Sequence, residues 1–144
     1  MALESIKEKY PKLTVVDIRE LHKQTVDVFS PCALSNCLNK SSVADLKCKV
    51  VAGGANNQLE DEDIAEALYK KDILYAPDYV VKAGGLISVY DEYENGNTRV
   101  SRVEKRIRII SKNMREVIVQ SKEKRKNTTE IADEKARKIF DSLI

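Results

Sequence analysis

A chain of 144 residues with 42% hydrophobic and 33% charged side chains has the composition of one soluble globular domain. Its formal net charge of +2 is too small to make a nucleic acid or a membrane surface the expected partner. No apolar run reaches the length of a membrane span and the start, MALESIKEKY, lacks a signal-peptide core, so the expected location is cytoplasmic.

Cys32, Cys37 and Cys48 form no metal-ligand pair, and His22 is the sole histidine. A zinc site is not expected, and the three cysteines read as reduced thiols in or near a core. Residues 3–9 read as the end of a helix, stopped by Pro11. Residues 13–16 (LTVV) are a short β-prone run that predicts a strand ending at Asp17. A second strand is predicted over residues 26–29, closed by Ser30-Pro31, and a third over residues 47–52. In that third strand Val50 and Val51 are apolar on successive positions, as burial on both faces requires.

Residues 60–72 read as an amphipathic helix with an acidic start, favourable at the positive end of a helix dipole. A fourth strand follows at residues 73–76, and Pro77 stands where a helix can begin. Quick alternation of strand and helix implies parallel pairing in an α/β layer structure. From Thr98 the pattern changes: Val100, Val103, Ile107, Ile110, Met114 and Val117 recur at spacings of three and four, the mark of one long helix with one apolar stripe. Residues 122–127 read as a polar break, and Asn127 with Glu130 resembles a capping box opening a last helix.

Three stretches carry a family resemblance. DVFSPCAL at residues 27–34 resembles D-[IV]-[FY]-x-P-C-A-L, the strand and loop that end beside the nicotinamide in the glutamate/leucine/phenylalanine/valine dehydrogenase family. VVAGGANNQL at residues 50–59 resembles the family's next strand and loop, whose asparagines contact the nicotinamide ribose. YAPDYVVKAGGLISVYDE at residues 75–92 resembles Y-A-P-D-Y-x-[IV]-N-A-G-G-[VL], which faces cofactor and substrate. Either glycine pair alone would be an ordinary turn, and Asn56-Asn57 alone a turn or cap; the order of three matches points to the family, most like its leucine-specific members.

The resemblance implies a partial Rossmann-like parallel sheet, α/β in class, over residues 1–97, with long C-terminal helices over 98–144 packing on or beside it. It implies NAD as cofactor and an amino acid as substrate of the intact enzyme. Cys32, Ala33, Asn56, Asn57 and Lys82 become the expected cofactor-binding residues. Ala83, Gly84, Gly85, Leu86 and Val89 become the expected substrate pocket. In such a sheet ligands sit beyond the carboxyl ends of the strands, and all three stretches follow predicted strands.

Much of the family's machinery has no counterpart here. The chain contains no G-x-G-x-x-G to hold a pyrophosphate at a helix N-terminus. Asp17 stands too close to Asp27 to be the ribose-binding acid and fits the end of the family's third strand, with residues 1–10 as the tail of the preceding helix. The first two strands are then missing, and so is the substrate domain with its acid–base residues, so no catalytic residue is expected. The open sheet edge predicts either self-association or collapse of residues 13–16 onto residues 26–29.

Lys82 stands where the family has Asn. A degenerate site accounts for this at least as well as new chemistry by the lysine. Leu86 and Val89 occupy the side-chain pocket positions, and Val89 cannot hydrogen-bond a γ-carboxylate, which favours a branched aliphatic substrate. Besides a truncated dehydrogenase, the chain can be read as an inactive structural or oligomerisation module. The basic tract over residues 99–138 reads as a solvated helix face rather than a nucleic-acid surface.

Overall fold

The computed structural model describes residues 2–143. Met1 and Ile144 lie outside these, as do the side chains of Ala2 and Leu3. Three short parallel strands, β1 (Val28–Phe29), β2 (Val50–Val51) and β3 (Leu74–Tyr75), form one sheet with β2 in the centre. Val28 pairs with Val50 and Val50 with Leu74; Phe29 pairs with Val51 and Val51 with Tyr75. Each pair is joined by a helical crossover, α2 (Lys40–Asp45) and then α3 (Glu62–Lys70), the connection that parallel strands require.

Helix α2 has no counterpart in the sequence reading, because six residues carry too little periodicity to show. Its local chemistry nevertheless explains it. Asn39 Oδ1 accepts the main-chain N–H of Ser42 at 3.0 Å, and Ser42 Oγ accepts that of Asn39 at 2.9 Å, a reciprocal cap. At the other end Lys71 Nζ donates to the carbonyls of Val43 and Ala44, both at 2.7 Å, satisfying groups that the helix leaves open.

The core lies between α2, α3 and one face of the sheet. Leu38, Val51, Ile64 and Leu68 are completely buried there, beside Val43, Leu46, Ile73 and Tyr75. The other face is covered unevenly. Leu74 and Val50 are half-buried, but Val28 is 53% exposed, so burial on both faces does not extend to β1.

Beyond β3 come α4 (Asp78–Val81), α5 (Gly84–Asn95), α6 (Val100–Lys124) and α7 (Thr128–Asp141). Gly96 ends α5 at φ 69°, a left-handed position suited to glycine, and its N–H donates to Glu92 O at 2.8 Å. The fully buried Asp91 then ties α5 to α6: Arg102 Nε and Nη2 donate to its two oxygens at 2.8 and 2.9 Å, and the N–H of Arg99 adds a third bond at 3.2 Å. The guanidinium first, then the Arg99 N–H, holds the Asp91 carboxyl below its ordinary pKa.

Helix α7 folds back on α6. Val117, Ile131 and Ala132 form a second small core with Val80 and Met114, and Thr128 Oγ1 donates to Tyr75 O at 2.6 Å. Only the far part of the α6 stripe is thereby covered; Val100 is 71% exposed and Ile107 is exposed as well. The polar break begins later than expected, since α6 continues to Lys124 before Arg125 turns left-handed. Asn127 Oδ1 accepts the N–H of Glu130 at 3.0 Å, as the capping pattern implies.

Residues 13–16 correct the sequence reading. Helix α1 (Ala2–Lys9) forms, but the chain then runs as coil up to a single turn at Leu21–Lys23. Leu13 and Val15 are exposed, and Asp17 accepts the N–H of Arg19 at 2.8 Å in a turn instead of ending a strand. Collapse of this segment onto β1 does not occur: among the described residues β1 pairs with β2 alone. Among the described residues no helix is long and apolar enough to cross a membrane.

Candidate functional site

The loops that follow the three strands meet at the carboxyl edge of the sheet. The β1 loop and the β2 loop touch through their main chains: the N–H of Ala55 donates to Pro31 O at 2.9 Å. A Cβ on Gly53 would lie 2.1 Å from Pro31 O and 2.6 Å from Pro31 Cδ, so only glycine lets the loops approach this closely. Farther along, the N–H of Asn36 donates to Asn57 O at 2.8 Å and that of Leu38 to Gln58 O at 3.0 Å.

Gln58 is the brace inside the β2 loop. Its side chain is wholly buried, and Nε2 donates to Gly53 O at 2.8 Å and Ala55 O at 3.0 Å, while Oε1 is buried without a partner among the described residues. The β3 loop joins through Asp78, which is 8% exposed. Its Oδ2 accepts the N–H of Asn57 at 3.2 Å and faces Lys82 Nζ at 3.3 Å, and Oδ1 accepts from Tyr75 Oη at 3.4 Å. Burial first, then the Asp78 charge, raises the Tyr75 phenol far above its ordinary value, so it stays a donor. Neither Gln58 nor Asp78 stands out in the sequence; the readable signal was that both lie inside the matched stretches.

On this frame stand the expected cofactor residues. Cys32, Ala33, Asn56 and Asn57 are all exposed at the sheet's end, so Cys32 departs from the expectation of a core thiol. Ser30 Oγ lies 3.4 Å from Cys32 Sγ, and this contact first, then the Gly54 N–H, lowers the Cys32 pKa. Cys37 and Cys48 do pack against the core, and burial raises both thiols. Asn57 takes φ 47°, which asparagine tolerates better than most residues. Lys82, half-buried, is bound to Asp78 one helical turn before it. Among the described residues no cluster of three or more His, Cys, Asp or Glu is placed to hold a metal.

The expected substrate residues follow Lys82 directly in the chain. Ala83 precedes α5, Gly84 and Gly85 lie in its first turn, and Leu86 and Val89 point outward, 74% and 63% exposed. Leu86 lines an apolar groove between α5 and α6 with Ile87, Tyr90, Arg102, Arg106 and Ile109, and none of Cys32, Ala33, Asn56, Asn57 or Lys82 lines it. A Cβ on Gly85 would meet nothing within 4 Å.

The shelf presents small residues and two exposed asparagine amides, the kinds of group that a nicotinamide ring and its ribose would need beside them. At the two crossover helices, Asn39 takes one N–H of the first turn of α2, and α3 opens on Asp61, Glu62 and Asp63, which repel an anion.

The family model for glutamate/leucine/phenylalanine/valine dehydrogenase matches residues 1–140, and the chain is a member of that family. Phenylalanine dehydrogenase of Thermoactinomyces intermedius is 46% identical over 92 residues, 63% of this chain and 25% of that protein. Leucine dehydrogenase of the same organism is 56% identical over 66 residues, 46% of this chain and 18% of its own length. The crystal structure of L-tryptophan dehydrogenase from Nostoc punctiforme superposes with a TM-score of 0.88 at 37% identity, over 94% of this chain and 40% of that one. The chain thus spans about a quarter of the first curated relatives it matches.

Proposed function

We propose that this chain is the cofactor-side portion of an NAD-dependent amino-acid dehydrogenase. The intact enzyme, on this reading, oxidatively deaminates a branched aliphatic L-amino acid such as leucine, valine or isoleucine to a 2-oxo acid and ammonia. Bound NAD supplies the hydride acceptor. Cys32, Ala33, Asn56 and Asn57 hold the nicotinamide and its ribose, and Ala83, Gly84, Gly85, Leu86 and Val89 form one wall of the substrate pocket. The observation that carries the reading is the convergence of the three post-strand loops, locked by Gly53 on Pro31 and by Asn57 on Asp78.

By themselves these 144 residues turn over no substrate and hold NAD weakly. Residues 1–97 form the partial cofactor unit and residues 98–144 its helical appendix. The ion pair between Lys82 and Asp78 accounts for the lysine without a chemical role. The chain is cytoplasmic and assembles with copies of itself.

A second reading on substrate has its own support: relatives named for phenylalanine and tryptophan imply that Leu86 and Val89 serve an aromatic side chain as well. A second reading on activity, a structural or oligomerisation module, is favoured by the exposed Leu86, Val89 and Tyr93 on α5. The test joins these 144 residues in trans with the missing portion of a relative, then assays L-leucine and L-phenylalanine with NAD. Restored turnover that prefers L-leucine supports the first reading; folded but inert complexes sink it.

A further inference from the structure

We propose that Gln58 is a positioning residue for the cofactor: two hydrogen bonds from its buried amide set the loop of residues 53–57, and with it the stance of Asn56 and Asn57. On the reading that those asparagines meet the nicotinamide ribose, on which this rests, Gln58 is the group that aims them.

The loop has neither helix nor strand to satisfy its main chain. Two of its carbonyls, Gly53 O and Ala55 O, turn onto the Gln58 side chain. A carbonyl oxygen only accepts, so the atom that meets both must carry two N–H donors. Gln58 Nε2 supplies both bonds, at 2.8 and 3.0 Å, from a residue with 0% exposure. Each peptide unit is planar, so holding its oxygen limits the tilt of the whole unit. The bond to Gly53 O fixes the peptide that leaves the close contact with Pro31, and the bond to Ala55 O fixes the peptide that leads into Asn56.

The other anchors of this loop act elsewhere. The N–H of Ala55 donates to Pro31 O, ahead of Ala55, and the N–H of Asn57 donates to Asp78 Oδ2, after Asn56. Among the described residues no main-chain hydrogen bond reaches the N–H of Asn56. Of the two peptides that flank Asn56, Asp78 therefore holds the later one and Gln58 the earlier one. Both asparagines are exposed, and Asn57 sits at φ 47°, so neither side chain is aimed by packing in a core. Their direction follows from the tilt of the two peptides, and half of that control lies with Gln58.

Titration of the full chain with NAD at millimolar concentration, followed by amide NMR, tests this. In the parent, NAD should move the signals of Cys32, Ala33, Asn56 and Asn57. Gln58→Met fills similar space without a donor. It should raise the NAD dissociation constant at least about 10-fold, with the helical circular-dichroism signal unchanged. Should that variant lose its helical signal, Gln58→Glu alone decides. Buried against two carbonyls, the new carboxyl stays protonated above the ordinary carboxylate range and keeps one donor, whereas its ionised form repels both. The NAD affinity of Gln58→Glu should therefore fall at least about 10-fold from about pH 5 to about pH 8, with the Asn56 and Asn57 signals shifting in step. Asp61, Glu62, Tyr75 and Asp78 line one cavity with Gln58, and Cys37 Sγ donates to Gln58 O at 3.8 Å. All five groups are present in the parent, whose own pH profile is the control. A folded Gln58→Met that binds NAD as the parent does overturns the positioning role. So does a Gln58→Glu that is unfolded throughout or follows the parent's pH profile. NAD that moves none of the four signals in the parent overturns the cofactor reading and the positioning role together.

Discussion

The main-chain N–H of Asn57 donates to the Asp78 carboxylate at 3.2 Å, joining the loop after β2 to the loop after β3. Asp78→Ala leaves that N–H and the half-buried Lys82 ammonium without their acceptor. The expected cost is about 1–3 kcal/mol, the range for stranding partly buried polar groups. Urea unfolding of the two proteins measures it, and Asp78→Asn, which keeps one oxygen acceptor, should lose less.

Two glycines should respond with opposite sign. Gly53→Ala places a methyl against the Pro31 main chain, where nothing flexible can give way, and should destabilise by about 1–3 kcal/mol or more. Gly85→Ala enters open space in a helix and should stabilise by about 0.5–1 kcal/mol. Thermal melts of both variants check the pair. Equal and small effects would show that the loop contact does not constrain the fold.

Turnover of L-leucine with NAD by these 144 residues alone should be negligible against ordinary dehydrogenase rates, on the order of 1–10³ per second. Calorimetric titration with NAD should give no micromolar binding, because Asn39 already takes one N–H at the start of α2 and the acidic start of α3 repels a phosphate. Micromolar affinity would require an anion site elsewhere in the chain.

The corner between α6 and α7 should weaken in acid. Lys124 first and Lys126 next, at 2.6 and 2.7 Å from Glu134, depress the Glu134 carboxyl from 4.5 to about 2 in the folded chain. A depressed carboxyl contributes stability above its unfolded value and loses it as pH falls, so the loss should run from about 4.5 down to about 2. The difference in melting temperature between the parent and Glu134→Gln should shrink through that window. It should also shrink with added salt, because the carboxylate is about one-third exposed.

Short-range chemistry settled what could be read from the residues alone. Val50-Val51 in a β-prone run, the acidic start of α3, the capping Asn127 and the three ordered motifs each act within a few positions, so strands β1 to β3, helices α3, α6 and α7, and the loops of the candidate shelf were legible in advance. The brief α2 was not, because six residues carry too little periodicity to show and its last carbonyls are met by Lys71, far along the chain.

Tertiary structure alone decided the rest. Residues 13–16 have every local mark of a strand, yet a strand needs a neighbour, and among the described residues none pairs with them. The apolar stripe of α6 is regular in sequence, yet only Met114 and Val117 find α7 and Val80 to pack against, while Val100 stays in solvent. Asp78 and Gln58 look ordinary among their neighbours and become the braces of the site only when three distant loops fold against them. Propensity is a property of a segment, but pairing and burial belong to whatever the chain brings beside it.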